Sequence, residues 1–111
     1  MIEVIVLEYL NNRLKCPVYM ERPEKAKAPY ILVEKTGSGR DGYIYSATLA
    51  IQSYGQTLYQ AAELNEQVKK ALDQFACLDD VCRSDLNSDY NFTDPTTKQP
   101  RYQAVYNITH Y

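Results

Sequence analysis

The chain has 111 residues, 45% of them hydrophobic and 23% charged, with a formal net charge of −2. That balance excludes a disordered chain, and the length favours one domain over residues 1–111, large enough to bury a core without disulfides or metals. Five of the twelve basic residues lie between Arg13 and Lys27, where Glu21 and Glu24 dilute them, so the charge argues against a nucleic-acid binder.

The opening "MIEVIVLEYL" is apolar, but Glu3 and Glu8 interrupt it. It lacks the length of a membrane span and the positive leader and cleavage site of a signal peptide. Ile2, Ile5, Val6, Tyr9, Leu10 and Leu14 follow i, i+3, i+4, i+7 spacing, which predicts a helix over residues 2–14. Pro17, Pro23 and Pro29 then punctuate the chain, with "VYMER" as a short edge strand and "ERPEKAKAP" as a polar loop. "YILVEKT", residues 30–36, is a strand by composition. After a glycine-rich loop, "GYIYSATLAIQSY" alternates as a long strand, with Tyr43, Tyr45, Ala47, Leu49 and Ile51 as the expected core face.

Gly55 breaks that strand. Thr57 followed by Gln60 has the form of a capping box, and Leu58, Ala61, Ala62, Leu64, Val68, Ala71, Leu72 and Phe75 make one apolar stripe, predicting a helix over residues 57–76. Residues 80–92 read as a strand in which Leu86, Ser88, Tyr90 and Phe92 alternate with Asp85, Asn87, Asp89 and Asn91. "TDPTTKQP" is a loop, and "RYQAVYNITHY" closes as a strand with Tyr102, Ala104, Tyr106 and Ile108 on one face. The order α-β-β-β-α-β-β, with tight connections, predicts the α+β class: one antiparallel sheet with two helices packed mainly on one face.

Gly37, Gly39 and Gly42 spell G-x-G-x-x-G, the dinucleotide-binding fingerprint. That motif needs a helix directly after it, because free helical N–H groups bind the phosphate. Here a strand follows, so the glycines are expected to serve a hairpin, with Arg40 and Asp41 at its exposed tip. "DLNSDYNFTDPT" imitates a calcium loop through Asp85, Asn87 and Asp89, but Tyr90 replaces the turn glycine and Thr96 the bidentate glutamate.

No catalytic set assembles. His110 is the only histidine and has no orienting partner in the pattern; Asp79 and Asp80 read as a solvated pair. Cys16, Cys77 and Cys82 are an odd count, expected as reduced thiols of a cytoplasmic product, too few for a structural zinc site. The acceptor patterns at Asn91 and Asn107 are then accidental. These features predict neither enzyme nor cofactor. Eleven tyrosines stand against two phenylalanines and no tryptophan. Tyrosine suits semi-buried places with one wet end, which fits a subunit boundary or the margin of an ordinary core.

The stretch "APYILVEKTGSGRDGYIYSATLAIQSYGQTLYQAAELNEQVKKAL", closing on "PRYQAVYNIT", resembles the tail terminator, or tail completion, proteins of long-tailed bacteriophages. The match covers nearly the whole chain in order and rests on packing and turn patterns. The resemblance implies a structural protein, without cofactor, that forms a homo-oligomeric ring, commonly a hexamer. The ring caps the tail-tube protein, stops its polymerisation and joins the head connector at the head-proximal end of the virion tail. Assembly would take place in the bacterial host cytoplasm, and DNA would only pass through the lumen, with no membrane involved. Another connector component, a stopper or adaptor, is the alternative, and a small ligand-binding domain or enzyme a more distant one. Loop geometry nominates Gly39, Arg40 and Asp41 at the tip, Asp94 in the 93–100 loop, and Arg101 and Tyr102 at the last strand as contacts with neighbours.

Overall fold

Two helices lie on one face of a five-stranded sheet in the computed structural model, which describes residues 2–75 and 81–111. The elements are α1 (Ile2–Arg13), β1 (Val18–Tyr19), β2 (Tyr30–Asp41), β3 (Ile44–Tyr54), α2 (Leu58–Leu72), β4 (Val81–Asn91) and β5 (Arg101–His110). The class is α+β in the expected element order. In space the strands run β1-β2-β3-β5-β4. The four long strands pair antiparallel, and the two-residue β1 joins β2 in parallel, through Val18 with Ile31 and Tyr19 with Leu32, so the sheet is mixed.

The core follows from period-two alternation. Val33, Ala47, Leu49, Ile51, Ala104, Tyr106 and Ile108 all turn to the same side, the helix face, and are buried there. Against them α1 presents Ile2, Val6, Tyr9 and Leu10, and α2 presents Leu64, Val68, Ala71 and Leu72. Each fully buried Leu, Ile or Val contributes about 2 kcal/mol. Tyr9 donates its hydroxyl to the Ala71 carbonyl at 2.7 Å and meets Phe75 edge-on, ring centroids 4.8 Å apart, joining the two helices.

Thr57 caps α2, accepting from the Gln60 N–H at 3.1 Å, while the Gln60 side-chain oxygen accepts from the Gln56 N–H at 2.7 Å. The reciprocal bond thus reaches one residue before the cap. Gly55 is required by a close approach: a Cβ there would lie 2.5 Å from the Ala61 nitrogen and 2.8 Å from the Thr57 oxygen. Regular helix stops at Leu72, short of the expected residue 76, and Phe75 stays buried in the turn that follows.

Four expectations change. The strand assigned to residues 30–36 continues to Asp41 because Gly37 and Gly39 pair with Thr48 and Ser46 of β3; cross-strand bonding outweighs glycine's weak strand preference. Tyr43 and Tyr45 leave the core, being exposed where the sheet outruns α1. Leu58, at the first turn of α2, is exposed too. The alternation in β4 is interrupted at Asn87, where the register shifts between Leu86 and Ser88. Leu86 and Asp89 therefore share the helix face, and Tyr90 takes the other. Cys77, Asp79, Asp80 and the side chain of Cys82 lie outside the described residues.

Candidate functional site

The nominated residues fall into two groups at opposite ends of the sheet. Asp41 pairs with Ile44 at the start of β3 and Arg101 with Tyr54 at its end. Eleven residues of extended chain separate the two, about 33 Å at the usual rise.

At the first end, β2 and β3 form a hairpin whose connection is only Gly42 and Tyr43. Gly42 has φ +63°, the left-handed conformation that glycine adopts without a side-chain penalty. This is the one glycine of the fingerprint with positive φ; Gly37 and Gly39 are strand residues. No helix follows, so the phosphate-binding geometry is missing and the motif is a hairpin. Arg40 and Asp41 flank the turn and are exposed, the Arg40 guanidinium lying 5.9 Å from the Tyr45 ring centroid. Tyr43, 92% exposed, with Ile44 and Tyr45, makes the tip apolar. Tyr45 stacks on His110 across the pair, centroids 5.6 Å apart, and beneath them a cleft of about 480 Å³ opens toward Glu3 and Lys35, which pair at 3.5 Å.

At the other end, Arg101 is committed within its own chain. Its Nε donates to the Phe92 carbonyl at 2.8 Å and an Nη to the Tyr54 hydroxyl at 2.9 Å. Its guanidinium lies 4.4 Å from the Phe92 centroid and 5.5 Å from that of Tyr54. Tyr54 stacks on Tyr30 at 4.5 Å, and Tyr19 meets Tyr30 with its ring tilted, centroids 6.2 Å apart. An aromatic–guanidinium row thus crosses the open face, the side of the sheet away from both helices. Asp94 closes the 93–100 loop: its carboxylate accepts from the N–H of Thr96 at 2.7 Å and of Thr97 at 3.4 Å. Those backbone bonds, Thr96 first, hold the carboxyl below its ordinary pKa. Tyr102 turns to the helix face and lines a groove of about 390 Å³ with Tyr59, Ala62, Glu63 and Glu66.

Two polar systems escaped sequence reasoning. On the open face, Gln52 donates to Gln103 at 2.9 Å, and Gln103 donates to the Tyr90 hydroxyl at 2.6 Å, so both amides sit 9% exposed without a helix over them. On the helix face, Asp89 accepts from Asn65 and Lys69, both at 3.0 Å, and Lys69 also meets Glu66 at 2.7 Å. The hydrogen bonds to Glu66 and then Asp89 raise the Lys69 pKa. The signal for the first was the in-phase spacing of Gln52 and Gln103. The second was hidden by the bulge that turns Asp89 inward.

Asp85 and Asp89, which a calcium loop would bring together, face opposite sides of the sheet: Asp85 pairs with Asn107 on the open face, whereas Asp89 faces the helices. Among the described residues no three His, Cys, Asp or Glu side chains come together as metal ligands. No helix among them is long and apolar enough to cross a membrane. No protein-family model matches the chain, and no curated protein matches it significantly. What this geometry can do is present surfaces: an apolar hairpin tip, two long strand edges and a hydrogen-bonded open face.

Proposed function

We propose that the protein is a structural tail terminator of a long-tailed phage, acting as a homo-oligomeric ring that caps the tail tube and joins it to the head connector. The observation that carries the self-assembly part is the pair of unpaired strand edges. Among the described residues, β4 lies at one margin of the sheet with no strand beyond it, and β1 covers β2 only at Ile31 and Leu32, leaving residues 33–41 open at the other. Long open edges are hazards unless something covers them. Two different edges on one subunit give a head-to-tail contact, which closes into a ring when its rotation closes. The sequence pattern from Pro29 to Leu72 and from Pro100 to Thr109 supports the terminator assignment within that class. Termination needs no reaction and no cofactor, and its partners are further copies of the chain, the tail-tube protein and the connector.

Light scattering with and without tail tubes tests the reading. A ring mass in either condition, with arrested tube growth, supports it. A chain monomeric in both overturns it. A ring that docks only to portal-side complexes identifies a stopper or adaptor instead.

A further inference from the structure

We infer that β4 of one copy pairs antiparallel with residues 33–41 of β2 in the next, in the register that sets Arg83 opposite Asp41 and Asp89 opposite Lys35; this rests on the ring reading above and specifies its contact. The direction follows from the sheet order. β4 runs opposite to β2 within a subunit, so a second sheet laid beside the first meets it antiparallel. The extent follows from β1, which closes the β2 edge at Leu32. In this register Val33 meets Asn91, where β4 ends.

The bulges select the register. β2 carries one irregularity, between Lys35 and Gly37, and β4 two, between Val81 and Arg83 and between Leu86 and Ser88; the first of these lies at the start of β4, so only the second can sit opposite that of β2 in a contact running along both strands. Beyond each, side chains change phase between the two faces, so most registers set helix-face residues against open-face residues over part of the contact. With Arg83 opposite Asp41 the irregularity of β2 and the second of β4 lie side by side, and the faces agree on both sides of them. Asp89 and Lys35 then share the helix face, Arg83 and Asp41 the open face, and no like charges are directly opposed. Within a subunit Leu86 is level with Tyr106, Leu49 and Lys35. Across the contact it meets Ser38, three residues on, a stagger of about 10 Å, and a closed array of tilted strands requires such a stagger.

The test is oxidation of the double variant Arg83→Cys/Asp41→Cys, with the linked peptide identified by mass spectrometry. Both positions are exposed. Within one subunit they lie on opposite edges with β3 and β5 between, more than about 14 Å apart, beyond disulfide reach, so a link between them joins two copies. The expected result is a covalent ladder through the two introduced thiols, at roughly tenfold the yield of Arg83→Cys/Arg40→Cys, whose second thiol turns to the other face. Rings by light scattering without that link, or with equal yields from both variants, overturn the pairing and leave the ring. Absence of rings, alone or on tail tubes, removes the ring reading and the pairing with it.

Discussion

The Asp89 carboxylate lies 3.0 Å from the Lys69 ammonium and accepts from Asn65 at the same distance, tying the outermost strand to α2. Asn65 is buried, and its Oδ1 already lacks a partner. Asp89→Ala would strip the Asn65 amide of its acceptor as well. The expected loss is about 2 kcal/mol. Asp89→Asn keeps an acceptor for Asn65 and loses mainly the partly buried ion pair, about 1 kcal/mol. Urea unfolding of the two variants checks the order; equal losses would show that the charge, and not the amide bond, anchors the strand.

Gly55→Ala is expected to destabilise by about 3 kcal/mol. The added methyl would meet the Ala61 nitrogen and Thr57 oxygen, which are backbone atoms of the capped turn and cannot rotate away. Gly37→Ala, with nothing within 4 Å of its Cβ position and no positive φ, is the control and should leave the melting temperature nearly unchanged. A melt showing both variants equally stable would refute the packing of α2 onto the end of β3.

Stability should fall at alkaline pH. Burial, with Asp73 nearby, raises the Tyr106 phenol above its ordinary pKa. A group whose folded pKa exceeds its unfolded value contributes stability that is complete below the unfolded value, near 10 for tyrosine, and is lost as pH rises toward the folded one. The slope is about 1.4 kcal/mol per pH unit for one such group. Lys69, also raised, adds loss of the same sign. Tyr106→Phe sacrifices only a long 3.4 Å bond to the Lys69 carbonyl. It should match wild type near neutrality and unfold with a shallower dependence above about pH 10. Parallel profiles would mean that Tyr106 is not the group responsible.

The element order was legible because each long segment keeps one period, 3.6 or 2, over many residues. Alternation says which way a side chain points but not how far the covering helices reach. Tyr45 is therefore in phase with Leu49 yet lies beyond Ile2, where α1 begins. Glycine's low strand preference suggested a loop over residues 37–42, whereas pairing with β3 carries the strand through and leaves only Gly42 and Tyr43 to turn. The bulge at Asn87 left no trace, because Asn, Ser and Asp suit either face of an edge strand. Its consequence, an inward Asp89, was hidden as well. At the candidate contacts, the sequence showed that Arg40 and Asp41 belong to a tip. It did not show that Arg101 is held by Phe92 and Tyr54.

That difference between the two ends makes a final prediction. The Tyr43 side chain stands almost wholly in solvent at the hairpin turn. Replacing it with serine should change subunit stability by less than about 0.5 kcal/mol. Aromatic residues at the centre of subunit contacts commonly carry more than about 1 kcal/mol each. If the tip is part of the ring contact, Tyr43→Ser should therefore weaken assembly about tenfold or more with the melting temperature of the subunit unmoved. Arg101→Ala should do the reverse, lowering the melting temperature through loss of its bonds to Phe92 and Tyr54. Light scattering across a dilution series, read beside a thermal melt, separates the two. Assembly insensitive to Tyr43→Ser would remove the hairpin tip from the contact.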